Sequence, residues 1–181
     1  PRFPGTLYSI SGNMGTLRTT DLDLECNINY KTIPFANLNR NEFESHLLEE
    51  NDLLITRSGT VGIVSVFKKQ HFDVIPGAFL IRFRLKQSIA PEFLRYYFRN
   101  EIGKRRLLDI AEGGVQKNIR GSSVLKLFVP IPNPKEQKKI MDILDESDKL
   151  IYEHLHHLQK LQSLKTGLMQ DLLSGKVRVK I

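Results

Sequence analysis

Across residues 79–86 apolar and polar positions alternate, with Phe79, Ile81, Phe83 and Leu85 on one side and Leu80, Arg82, Arg84 and Lys86 on the other. That period of two predicts a strand with one apolar and one mostly basic face. The runs DLLITRSG, TVGIVSVF, DVIPGAFLIRFRL and SVLKLFVPIP share the same mixture of β-branched and aromatic residues punctuated by glycine and proline, and read as short strands. In APEFLRYYFRNEIGKRRLLDIAEG the period changes: Phe93, Leu94, Tyr97, Phe98, Ile102 and Leu107 recur at helical spacing after a proline suited to a first turn, which predicts one or two helices. GGVQKNIRG then reads as a loop or helix start, a candidate contact loop ahead of the last strand.

The pattern changes again after the prolines at 130, 132 and 134. From Lys135 to about Leu173 no proline interrupts a run with apolar residues at helical spacing, so a domain at 1–134 is expected to be followed by a long helix at 135–181. Its seam of Ile151, Leu155, Leu158, Leu161, Leu164 or Lys165, Leu168 and Leu172 advances 21 residues in six steps, a period near the coiled-coil value of about 3.5. At about 1.5 Å per residue such a helix is roughly 58 Å long, too long for the preceding domain to cover, so part of its apolar face calls for a partner helix. Ser174 and Gly175 supply the expected stop, the glycine suiting a left-handed cap, and VRVKI is expected as a short strand or extended tail. The fold class expected is α+β: a mixed domain of short strands and helices followed by a C-terminal coiled-coil helix.

Composition narrows the setting. The 181 residues, 40% hydrophobic and 26% charged, have the balance of a globular protein of one core. No apolar run reaches about 18 residues and the opening residues lack a signal-peptide pattern, so no membrane contact is expected and the cytoplasm is the natural compartment. The lone Cys26 offers no disulfide or metal pair and reads as a small buried apolar group. The net charge of +7 favours polyanionic partners, and the excess lies mostly before the helix: residues 1–134 hold 18 basic and 13 acidic residues, residues 135–181 hold 9 and 7.

Motifs for catalysis are weak. There is no Walker A sequence and no Rossmann fingerprint. His154, His156 and His157 share the long helix, where solvated or interface roles outweigh a metal site. Asp145, Glu146 and Asp148 read as a wet helical face and not as a nuclease cluster. PNPK at 132–135 lacks the second proline and the aromatic of an amino-methyltransferase motif and reads as a connector. No catalytic residue, metal or cofactor is expected. The more informative segments are polar loops. ITRSGTVG places Arg57, Ser58 and Thr60 at a tight reversal permitted by Gly59 and Gly62, LRTTDL offers Arg18, Thr19 and Thr20, and the loop at 113–121 offers Gln116, Lys117, Asn118 and Arg120. All ten are suited to phosphate or base-edge contacts. Lys104, Arg105 and Arg106 suit phosphate, or simply a solvated face.

Three stretches carry a resemblance: DLLITRSGTVGIVSVF, then APEFLRYYF, then EGGVQKNIRGSSVLKLFVPIPNPKEQKKIMDILDESDKLIYEHLHHLQKLQSLKTGLMQDLLSGKVRV. In order and spacing they resemble the specificity subunits of type I restriction-modification systems, over roughly residues 15–179, with VPIP, EQKKI and LKTGLMQDLLSGK the most specific segments. The opening PRFPGTLYSISG departs from the family's customary first strand and glycine-rich segment. The resemblance implies one target recognition domain and one conserved helix of a subunit that ordinarily carries two of each. It implies a non-catalytic, DNA-binding role in DNA modification and restriction, reading half of a split double-stranded site. It also implies docking to methyltransferase-bearing modification subunits and a restriction subunit, with pairing through the helix to a second copy or a second specificity half. A homodimer of half-subunits would read an interrupted palindrome. The competing reading is a coiled-coil protein–protein adaptor without DNA specificity; a nuclease acting alone ranks third.

Overall fold

The computed structural model describes residues 1–114 and 117–179. The chain is mixed α/β with short strands and a long C-terminal helix, and divides into two compact units, Pro1–Lys138 and Lys139–Ile181.

The first unit holds two three-stranded sheets. In one, β1 (Met14–Leu17) lies between β2 (Phe35–Ala36), antiparallel to it, and β5 (Asp73–Pro76), parallel to it. In the other, β3 (Leu53–Thr56) lies between β4 (Val64–Val66) and β6 (Leu80–Phe83), antiparallel to both. All residues of β1, β3 and β4 are buried, which explains why their sequences are continuous apolar or small runs without a solvent-facing alternation. Leu17, Leu22, Cys26, Ile33, Leu54, Ile63, Phe67, Val74 and Leu80 belong to one core cluster, and Met14, Ala36, Leu38 and Ile75 pack in another. The pleat separates them: Val74 and Ile75 are consecutive in β5 and enter different clusters. Cys26 is buried as expected, with a left-handed φ of 67°, and burial pushes its thiol up from its ordinary range.

Short helices complete the unit: α1 (Arg40–Phe43), α2 (Pro91–Arg99), α3 (Glu101–Asp109) and α4 (Gly121–Val124). The periodic segment at 90–113 therefore forms two helices. Pro91 starts α2, and Asn100 ends it while capping α3 by accepting from the Gly103 N–H. Phe93, Leu94, Phe98 and Leu107 face the core, whereas Ile102 is exposed.

Two local expectations are corrected. SVLKLFVPIP is not a strand: Gly121–Val124 turns into α4, and Leu125 and Phe128 are exposed. The Val124 and Leu125 N–H groups close back on the Arg120 and Gly121 carbonyls, while Pro130 and Pro132 have no N–H to give a ladder. In the 79–86 run the deeper side chain is Leu80, on the face shared with the arginines; Phe79 is 53% exposed. Arg82 and Arg84 satisfy their charge on that face by donating to the Leu47 carbonyl and, for Arg84, by pairing with Asp52 and Glu49. Of the expected short strand or extended tail at VRVKI, residues 177–179 form no strand, Val177 bonding back to the Asp171 carbonyl, and residues 180–181 lie outside the described residues.

The long helix α5 runs from Pro134 to Leu173, 40 residues, with Gly175 at φ 74° past its end. A Gly175 N–H bond to the Leu172 carbonyl supplies the left-handed cap. Along it Ile151, Leu155, Leu158, Leu161, Leu164, Leu168 and Leu172 are all exposed, a continuous apolar stripe, and His154, His156 and His157 are exposed as well. No helix among the described residues is long and apolar enough to cross a membrane.

In the first turn of α5, Gln137 is 1% exposed. Its amide accepts from the Ala90 N–H at 2.9 Å and donates to the carbonyls of Ser88 at 3.0 Å and Pro132 at 2.8 Å. One side chain thus satisfies the start of α2 and the proline connector together. Because Gln137→Ala leaves these groups unpaired, it should destabilise the first unit by about 1–3 kcal/mol in chemical denaturation; a loss under about 0.5 kcal/mol would mean that water replaces the amide.

Candidate nucleic-acid interface

Strand direction decides which loops meet. β1 and β5 are parallel and end in register at Leu17 and Pro76. β3 ends at Thr56 opposite Leu80, where β6 begins. Residues 18–20, 57–60 and 77–79 therefore leave the two sheets at one rim, and 77–79 is the crossing from one sheet to the other.

Backbone hydrogen bonds join these segments in series. The Gly77 N–H donates to the Leu17 carbonyl at 2.7 Å, the Arg57 N–H to the Phe79 carbonyl at 2.9 Å, and the Ile119 N–H to the Arg57 carbonyl at 2.9 Å. The last bond brings in the loop at 117–120. Ile119 is fully buried, so its neighbours Asn118 and Arg120 turn outward. The loop is closed at its base by reciprocal bonds between Glu112 and Asn118, with Gly113 at φ 107°.

The β3–β4 reversal is shaped from within. The Thr56 hydroxyl donates to the Thr60 carbonyl at 2.5 Å and accepts from the Ile63 N–H at 2.9 Å. Gly59 and Gly62 take left-handed φ values of 78° and 89°, a conformation costly for residues with a Cβ. Thr60 is thereby held exposed at the tip, with Ser58 half-buried beside it.

The charges of the rim are not equivalent. Arg18 donates through its guanidinium to Asp21, whose side chain is 1% exposed, and to the Thr32 carbonyl. That hydrogen-bonded carboxylate raises Arg18 above its ordinary value. Arg120 pairs with Glu112 at 2.9 Å. Arg57 instead donates through Nε and an Nη to the neutral Asn118 amide oxygen at 3.3 and 3.2 Å. Among the described residues neither Arg57 nor Lys117 forms an ion pair, so both add uncompensated positive charge to the rim, as does Arg2 at the edge of the adjoining concavity. Their field attracts phosphate without first breaking a salt bridge.

Of the ten residues expected to contact a polyanion, the structure brings Arg18, Thr19, Thr20, Arg57, Ser58, Thr60, Lys117, Asn118 and Arg120 to this rim, and Gln116 lies outside the described residues. Sequence reasoning missed Phe79 and the carboxylates Asp21 and Glu112. The period-two pattern placed Phe79 in an apolar strand face; the glycine at 77 was the available signal of a turn. Among the described residues no three His, Cys, Asp or Glu side chains converge as a metal site.

The model of the type I restriction modification DNA specificity domain matches residues 10–166. The chain is 29% identical over 160 residues to the EcoKI specificity subunit of Escherichia coli K12, covering 83% of this chain and 34% of that one. It is 28% identical over 156 residues to the MjaIX specificity subunit of Methanocaldococcus jannaschii, covering 79% and 34%. In fold it is similar to the HsdS subunit of Thermoanaerobacter tengcongensis, with a TM-score of 0.64 at 17% identity over 94% of this chain and 40% of that one. It is likewise similar to the type I specificity subunit of M. genitalium, with a TM-score of 0.57 at 16% identity over 96% and 41%. The chain spans about a third of the length of these curated relatives.

Proposed function

The chain belongs to the type I restriction-modification DNA specificity domain family, and from that premise we propose that its residues 1–134 read one half of a bipartite double-stranded DNA site. Residues 135–181 serve as the helix that pairs with a second such unit and docks the modification subunits. The observation that carries the reading is the rim: separate polar loops joined in series by backbone hydrogen bonds, with Arg57 and Lys117 free of carboxylate partners among the described residues.

A rigid rim of donors suits sequence reading. Phosphate contacts set register, and hydroxyl, amide and guanidinium groups address base edges. Arg57 and Lys117 take the phosphate-contact role most directly. Thr19, Thr20, Ser58, Thr60 and Asn118 offer short polar side chains for base edges, and Gln116 belongs to the same loop by sequence. In this reading the chain performs no chemistry. Methyl transfer comes from the modification subunits and cleavage from the restriction subunit, and this chain positions them on the site and needs no cofactor of its own.

The apolar stripe on α5 supports helix pairing. A row of leucines at coiled-coil spacing, about half exposed, covers itself well by knobs-into-holes packing with a like helix. That helix comes either from a second copy, giving an interrupted palindromic site, or from another half of the same subunit. Light scattering on wild type and on Leu158→Lys/Leu161→Lys checks the homodimer form: a dimer that the double change splits into folded monomers is expected, and a monomeric wild type would assign the stripe to a different specificity half.

For DNA reading, the specificity subunit assembled with its modification subunits should bind its site with a steep salt dependence. Arg57→Ala/Lys117→Ala should weaken binding to all sequences alike and lower the salt slope by about two, one for each lost phosphate contact. If either residue reads a base, the loss is instead about 1–3 kcal/mol at one position of the site. Unchanged affinity and slope in fluorescence anisotropy would reject the rim as the DNA-binding surface.

A further inference from the structure

We propose that Phe79 and the threonine pair at 19–20 form a pocket for the major-groove edge of a thymine, making Phe79 a specificity-determining residue. The inference rests on the DNA-reading role proposed above and adds the base that this part of the rim selects.

Phe79 sits on the turn that crosses between the sheets, and the residue is 53% exposed. A single exposed aromatic is ordinary on a protein surface, but this one is held on both sides. Gly77, two residues before it, is bonded to Leu17, its own carbonyl accepts from Arg57, and the Leu80 N–H closes the turn on the Gly77 carbonyl at 3.1 Å. The ring lines an open concavity of about 530 Å³ together with Tyr8, Thr16, Arg18, Thr19 and Thr20. Phe79 thus adds an apolar wall to a largely apolar concavity, shared with Phe3 and Tyr8, beside the threonine hydroxyls.

The donors of the concavity, which include the Pro1 amine and Arg2 at its edge, differ in freedom. The Arg18 guanidinium is committed to Asp21 and Thr32. Thr19 and Thr20 are not: among the described residues neither hydroxyl has a hydrogen-bond partner. An unengaged hydroxyl next to an exposed ring matches the thymine edge, which presents the O4 acceptor beside the C5 methyl group. The methyl packs on the Phe79 ring while O4 accepts from a threonine. Cytosine and the purines offer no methyl to cover the ring, so they leave it wet and lose the apolar part of the contact.

The test uses the specificity subunit assembled with its modification subunits. Its half-site is first selected from a randomised duplex library, and each thymine is then replaced by deoxyuridine, which removes only the methyl group. At one position the replacement should weaken wild-type binding by about fourfold, the worth of one buried methyl group. The Phe79→Ala complex should bind the thymine duplex more weakly and lose nothing further on the uracil duplex, while Phe79→Leu, which keeps an apolar contact, should retain part of the discrimination. Indifference of the wild type to uracil at every position, or an undiminished uracil penalty in Phe79→Ala, would overturn the proposal. If Arg57→Ala/Lys117→Ala weakens binding while uracil is silent, the thymine pocket alone fails. If the wild-type complex binds all duplexes alike, the DNA-reading role and the pocket fail together.

Discussion

The rim depends on a series of three backbone hydrogen bonds, Gly77 to Leu17, Arg57 to Phe79 and Ile119 to Arg57. Loops ordinarily lose rigidity with distance from the elements that anchor them, and contact residues on such loops must be ordered by the ligand at an entropic cost. Here the segments at strand ends are anchored by the strand each leaves and by a neighbouring segment, and the loop at 117–120 by the Ile119 bond to Arg57 and the Asn118 bridge to Glu112. Arg57 is the shared member: its N–H and its carbonyl serve two different loops, and its guanidinium reaches Asn118 in one of them. In the proposed reading, a side chain held in this way would lose little freedom on meeting DNA, which would favour discrimination between bases over adaptation to any of them.

The distribution of charge follows the same logic. A rim made only of free arginines would bind any duplex strongly and read none. If the rim meets DNA as proposed, pairing Arg18 with Asp21 and Arg120 with Glu112 would remove two charges from the non-specific attraction while keeping their donors in place. The net charge of +7 is therefore a poor guide to the local field. The cations that matter most are those whose partner is an amide or solvent, and only the three-dimensional arrangement separates them from the others.

Much of this was legible in the sequence. The long helix, its seam and its glycine cap followed from spacing alone, because a 40-residue amphipathic pattern has few alternatives. The two helices at 91–109 followed for the same reason, and the strands at 53–56 and 64–66 from β-branched content punctuated by glycine. The strands at 14–17 and 35–36 gave no signal: they are too short for a period, and their burial comes from pairing with β5 and with each other. The 123–132 run misled because β-branched residues favour strands only where a partner accepts their N–H groups, and its prolines and α4 leave none. The polar loops were visible as candidates, but their convergence was not, since it depends on β1 and β5 being parallel and ending in register. Phe79 was hidden by the alternation that placed it inside a strand.

The central claim is that one rim, assembled from four segments of the first unit, meets DNA. Hydrogen–deuterium exchange on the assembled complex, with and without its site duplex, tests it most directly. New protection is expected, confined to residues 17–20, 57–60, 77–79 and 117–120. Protection centred instead on α2 and α3, with those four segments unchanged, would contradict it.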